Sequence, residues 1–306
     1  MWTFTASGFR VAVPDDWIDR SVYSFKGPVE GDHQHVLAVV PDPGSRAPSV
    51  EDYARRRIDI AAKSLPGARV LLQEPLALAR GLGAWRAELR WFPADGLKLY
   101  QRLLYVLAKD VGFTLVVQRT KKSRLTHGPA IDRMLSTFRP LDSPPPRGPH
   151  GDGSTPFVAP SFSLVLDRGW SDETIYSLGQ SDTSRFCRTL VVTREPVPEA
   201  PPSTAAMGAA GIEAMRAKVP GFELESGEEI EAHDGDPAFR IRFRRKTEKN
   251  GTVAQDQLLA WRAGRLFTLT LTTEPEPPAK KLRVLVEITP SFEALAATAG
   301  APGARS

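Results

Sequence analysis

The 306-residue chain holds one cysteine, Cys187. An intrachain disulfide framework is therefore excluded, and a thiolate zinc site lacks a second sulfur ligand. Histidine is nearly as scarce, with five residues at His33, His35, His127, His150 and His233. No run approaches the ~18 apolar residues of a membrane span. The opening Met1–Arg10 has no basic head followed by an apolar stretch, which predicts no secretory leader and a cytoplasmic protein. P-loop, dinucleotide fingerprint and Gly-x-Ser-x-Gly elbow are all missing. The sequence predicts no enzyme, no catalytic residues and no cofactor.

What remains is ordinary globular material: 41% hydrophobic and 25% charged residues, in a chain long enough for about two domains. The net charge of +4 is uneven. Residues 1–142 carry 21 basic and 15 acidic side chains, residues 143–306 carry 19 and 21. That imbalance falls short of a nucleic-acid footprint, so no nucleic-acid partner is expected. Residues 143–155 mix Pro, Gly and Ser without an apolar side chain and read as a linker.

The two flanks are one domain written twice. At an offset of 153, Phe9, Trp17, Asp19, Tyr23, Ser24, Leu37 and Val39 recur as Phe162, Trp170, Asp172, Tyr176, Ser177, Leu190 and Val192. At 154, Pro66-Gly67, Gln101, Phe113-Thr114-Leu115 and Phe138 recur as Pro220-Gly221, Gln255, Phe267-Thr268-Leu269 and Phe292. The expected organisation is copy one over 1–142, the linker, copy two over 156–296 and a tail over 297–306.

Each copy predicts an α+β fold, an antiparallel sheet packed with helices. Strands are expected at 9–13, 21–25 and 36–40, then a helix over Val50–Leu65 capped by Ser49. Further strands follow at 84–91, 99–107 and 113–119, then a helix over Pro129–Thr137. Copy two repeats the plan, its long helix starting at Ser203 or Thr204 and its last helix near Ala279–Ile288. Trp17, Trp170, Tyr23 and Tyr176 read as fold determinants. His33-Gln34-His35 invites a metal reading, but copy two has Phe186-Cys187-Arg188 there; a polar loop is preferred and no metal is expected. Cys187 has no base beside it and reads as small apolar filler.

One pattern stands out. Leu97, Leu99, Leu103, Tyr105 and Leu107 line one face of a strand with Gln101 among them, and Gln255 holds the same place in copy two. An amide buried without a partner costs roughly 2–7 kcal/mol. Either a neighbouring strand or helix end satisfies it, or the face is a groove whose occupant does.

The Phe-x-Val-x-Val-Pro-x-x-Trp-x-Asp start over residues 9–19, the helix closed by Leu65-Pro66-Gly67, the central Gln strand and the closing Ser-Thr-Phe or Pro-Ser-Phe resemble a DcrB-type domain. More closely, they resemble the Eag chaperones of bacterial type VI secretion. The resemblance implies a PsbP/Mog-like fold and a chaperone for the N-terminal transmembrane helices of a PAAR- or Rhs-type effector. It implies no stable membrane insertion, and a pseudo-dimer within one chain whose copies grip different helices. Carried over by position, the groove comprises Val22, Ser24, Ala61, Leu65 and Gln101, then Ile175, Ser177, Met215, Val219 and Gln255. The alternative is a non-enzymatic adaptor of the same fold that binds a folded partner.

Overall fold

The computed structural model describes residues 1–6, 8–31, 33–78, 81–93, 96–140, 154–180, 188–197, 199–247, 251–276 and 287–295. The first repeat contributes β1 (Trp2–Ala6), β2 (Phe9–Val13), β3 (Trp17–Asp19), β4 (Tyr23–Glu30), β5 (His33–Pro43), α1 (Val50–Ser64), β6 (Arg69–Ala77), β7 (Gly83–Trp91), β8 (Leu99–Ala108), β9 (Val111–Arg119), α2 (Lys121–Thr126), α3 (Gly128–Ser136) and β10 (Arg139–Pro140). The second contributes β11 (Thr155–Val158), β12 (Phe162–Leu166), β13 (Ser171–Asp172), β14 (Tyr176–Gln180), β15 (Thr189–Pro196), α4 (Thr204–Lys218), β16 (Glu223–Glu231), β17 (Pro237–Lys246), β18 (Thr252–Arg262), β19 (Arg265–Thr273) and β20 (Glu293–Ala294). The result is a mixed α/β protein whose strands pair antiparallel. Most of the expected linker, the tail, Cys187 and most of the expected helix at 279–288 lie outside the described residues. Thr155, placed in the linker by composition, already opens β11.

The long helices begin where the sequence places them. Ser49 Oγ accepts from the Asp52 amide at 3.1 Å and donates to its carboxylate at 2.6 Å. This ties off one of the free N–H groups of a helix start. In the second repeat Ser203, not Thr204, is the cap, accepting from the Ala206 amide at 3.0 Å. Both helices stop one residue before a Pro-Gly pair, with Gly67 at φ 60° and Gly221 at φ 63°. Those left-handed positions favour glycine.

The compact units do not follow the repeats. One consists of residues 22–174, the other of residues 1–21 with 175–306. The expected boundaries at 142 and 156 fall inside the first of these, because each repeat gives its opening strands to the other's sheet. In unit 22–174 a seven-stranded sheet runs β13-β4-β5-β9-β8-β7-β6, beside a three-stranded sheet β10-β12-β11. The other unit matches it with β16-β17-β18-β19-β15-β14-β3 and β1-β2-β20.

Aromatic packing explains the exchange. In unit 22–174 the incoming Phe162 lies edge-on to Tyr23 (4.8 Å) and stacks on Phe138 (5.5 Å), while Phe157 meets Phe25 at 4.7 Å. In the other unit the incoming Phe9 meets Tyr176 (5.0 Å), Phe292 (6.2 Å) and Phe267 (6.3 Å). The residues that recur between the repeats are thus the ones that receive and supply the exchanged strands. Backbone joints recur too: the Ser24 amide donates to Thr174 Oγ1, and the Ser177 amide to Ser21 Oγ.

Two long strands of the main sheets carry no apolar rhythm and were not expected, β6 and β16. They are edge strands, mostly exposed. Each carries a bulge, between Val70 and Leu72 and between Leu224 and Ser226, which bends the edge away from further pairing.

Truncating the incoming ring tests the exchange. Phe162→Ala removes a fully buried side chain and is expected to cost about 3–5 kcal/mol. Urea unfolding followed by the fluorescence of Trp85 and Trp91 should show unit 22–174 losing that stability, although Phe162 belongs to the second repeat.

Candidate functional site

Alternation on the strands defines which side chains share a face. In unit 22–174 one register row runs Ser24, Ala38, Val116, Leu103, Ala87, and the next runs Lys26, Val36, Gln118, Gln101, Leu89. Val22 and Val40 stand on the same face by the same alternation. Helix α1 covers part of this face, packing on β6, β7 and β8. Its Tyr53, Ala54 and Ile58 form a buried cluster with Ala87, Leu89, Leu103 and Tyr105. The remaining part, on β4, β5 and β9, is a shelf of half-buried Val36, Ala38, Val40 and Val116, with Val22 at 50% exposure.

The other unit presents the corresponding face beside α4, on different chemistry. Rows run Ser177, Val191, Thr270, Gln257, Ile241 and Gly179, Thr189, Thr272, Gln255, Phe243. Helix α4 sits close because its contact positions are small. A Cβ on Gly208 would fall 2.3 Å from the Phe239 ring, and one on Gly211 2.7 Å from Leu259. The uncovered floor is rich in threonine: Thr189, Thr193, Thr268, Thr270 and Thr272 are all half-buried there.

The ten sequence-predicted residues fall onto these two faces, five on each. Val22, Ser24, Ile175 and Ser177 are the open positions, Ile175 at 57% exposure. The helix residues behave differently. Ala61 and Leu65 pack against the cluster beneath α1. Met215 is buried among Phe239, Ile241 and Leu259, with Val219 packed on that cluster. They fasten helix to sheet rather than line an open wall, because the apolar stripe of each helix turns toward its own strands.

The two glutamines have opposite environments. Gln255 is satisfied from both ends: Nε2 donates to Thr272 Oγ1 at 2.8 Å, and Oε1 accepts from Arg245 Nε at 2.9 Å. Its neighbour Gln257 donates to Thr270 Oγ1 at 3.1 Å. In the first repeat the positions of Thr272 and Arg245 are taken by Gln118 and Trp91, and Gln101 Oε1 is buried with no hydrogen-bond partner in the protein.

Three donors on the same face share that condition: the indole N–H groups of Trp85 and Trp91 and the Tyr105 hydroxyl. Burial pushes the Tyr105 pKa above its ordinary value, so its proton is retained. Sequence reasoning passed over Trp85 and Trp91. Their alternation with Ala87 and Leu89 on β7 was the available signal.

His33-Gln34-His35, expected as a polar loop, is part of β5, and His35 is fully buried. Arg55 and Arg56 are exposed on α1, Arg55 paired with Glu51 at 2.5 Å. Among the described residues no helix is long and apolar enough to cross a membrane.

A duplicated α+β domain with a helix laid across one sheet face is the class these observations define. The DcrB family model matches residues 10–132 and again 162–288, and the chain belongs to that family, in tandem. It is 24% identical over 133 residues to Effector EagT6 of Pseudomonas aeruginosa, spanning 43% of this chain and 91% of that protein. Among solved structures, the apo form of TplEi, an immunity protein of the type VI secretion system of Pseudomonas aeruginosa, matches 96% of this chain and 97% of its own at TM-score 0.51 and 15% identity. PA94, a Pseudomonas aeruginosa protein of unknown function described as a putative regulator, covers 44% of this chain and 92% of its own at TM-score 0.39 and 22% identity.

The glutamine contrast gives a stability test. Gln255→Ala strands Arg245 and Thr272 and is expected to cost about 1–3 kcal/mol. Gln101→Ala removes an amide whose oxygen is unpartnered and is expected to cost less than about 1 kcal/mol. Paired urea titrations of the two variants check the order.

Proposed function

We propose that this chain is a cytoplasmic, non-enzymatic chaperone that shields N-terminal transmembrane helices of a PAAR- or Rhs-type type VI secretion effector before export. The observation that carries the reading is the shelf beside α1. Val22, Val36, Ala38, Val40 and Val116 give a half-exposed apolar floor, bordered on β8 by the unpartnered Gln101 oxygen. The similarity to Effector EagT6 and membership of the DcrB family support it. A PsbP/Mog-like name for each unit is part of the same proposal.

The physics suits such an occupant. A transmembrane helix satisfies its own backbone, so in water only its side chains need cover. Burying on the order of 1,000 Å² contributes roughly 25 kcal/mol gross at ~25 cal/mol per Å², against which association and ordering costs count heavily. Small residues on the client let backbones approach, and there the Gln101 amide reaches carbonyls and hydroxyls. The threonine floor of the other unit suits a more polar helix. One chain then serves two unlike segments.

Co-expression with the transmembrane N-terminus of a PAAR-type effector, then purification without detergent, tests the reading. A soluble complex at one chain per client is expected. Ala38→Asp, a charge on the open shelf, should abolish it without changing the circular dichroism of the free protein. Gln101→Ala should weaken it several-fold. If the client aggregates while the chain purifies alone, the chaperone reading fails for that client and an adaptor for a folded partner takes its place.

A further inference from the structure

On the sheet of unit 22–174, the face opposite Val36 carries a cluster that the proposed chaperone role does not use. His35 is fully buried, and neither of its ring nitrogens has a hydrogen-bond partner. Glu30, paired across the hairpin with His33, brings Oε2 to 3.9 Å from His35 Nε2. That oxygen is also buried without a hydrogen-bond partner. His127, between α2 and α3, sets its ring edge-on to His35 with centroids 5.0 Å apart. One ligand atom each from Glu30, His35 and His127 lies within 4.8 Å of the others. His33 lies beside His35 as well, its ring centroid 5.4 Å away.

We propose that Glu30, His35 and His127 form a binding site for one divalent first-row transition-metal ion of the zinc type. Two imidazoles and a carboxylate are the donor set such a borderline cation takes with a further position open, whereas calcium and magnesium call for oxygen. Ligands around a tetrahedral zinc sit roughly 3.3 Å apart at Zn–N distances of ~2.0–2.1 Å, so small side-chain rotations close the set. The support around the ligands is in place. Thr126 donates to Glu30 Oε1 at 3.3 Å and Lys122 Nζ lies 3.8 Å from the same oxygen, leaving Oε2 for the histidines.

The bound ion ties the β4–β5 hairpin to the α2–α3 junction. In the second repeat the position of His35 is Arg188, paired with Glu274, so one ion per chain is expected.

The test uses the full chain, stripped with a chelator and titrated with zinc chloride by calorimetry. One ion per chain is expected, with a zinc-dependent rise in melting temperature. Glu30→Gln and His127→Ala should each weaken binding at least tenfold and lose the rise in melting temperature. Cobalt(II) should give visible bands of nitrogen and oxygen ligation in the wild type. No binding, or binding as tight in both variants as in the wild type, overturns the proposal by placing any ion elsewhere. Should a variant fail to fold, absence of the wild-type cobalt spectrum overturns it alone.

Discussion

The contact on which the rest depends is one phenylalanine ring inserted into another repeat's core. Phe162 fills a cage of Tyr23, Phe113 and Phe138, and Phe9 one of Tyr176, Phe267 and Phe292. Aromatic pairs add about 0.5–1.5 kcal/mol each to the area buried, and each incoming ring meets two of these neighbours edge-on and the third stacked or tilted. The seven-stranded sheets are completed by the same segments, through β13 on β4 and β3 on β14. Once the rings are seated, the sheet edge is closed, the long helix has a platform, and the face beside it is fixed.

On that shared scaffold the two faces have diverged in kind. The first has a valine and alanine floor with one unpartnered glutamine oxygen beside it; the second answers each glutamine with a threonine hydroxyl. The difference follows from two substitutions at matched positions. Where the second repeat has Thr272 and Arg245, the first has Gln118 and Trp91. An amide keeps one set of neighbours and becomes structural, or loses them and is left for something else. The register of the central strands does not change.

Much of this was legible in the chain. The repeat, the helix starts at Ser49 and Ser203 and the central strands all follow from periodicity and capping. The edge strands β6 and β16 were not legible, because a strand exposed on both faces needs no apolar alternation, and Glu228-Glu229 reads as loop. The exchange of opening strands was invisible for a deeper reason. Phe9 and Phe162 occupy equivalent positions, so either could complete either core, and sequence identity cannot say which does. His33 and His35 invited a metal reading, but their neighbours Glu30 and His127 did not, because these come from a second hairpin strand and from a helix junction far along the chain. Spacing reports local partners only. The burial of Met215 was missed for want of the third dimension: a helix position at the right interval faces either the groove or the sheet.

The bulged, charged outer strands carry a further meaning. In β16 the exposed residues include Glu223, Glu225, Glu228, Glu229 and Glu231, and β6 carries Pro75, which lacks an N–H to offer. A protein that keeps an apolar shelf open to water invites its own copies to collect on it, and a bare sheet edge elsewhere in the same chain would turn collection into fibre growth. Like charge on one unit's margin and a missing donor on the other's make lateral stacking unfavourable. The shelf can then stay uncovered without becoming the seed of an aggregate.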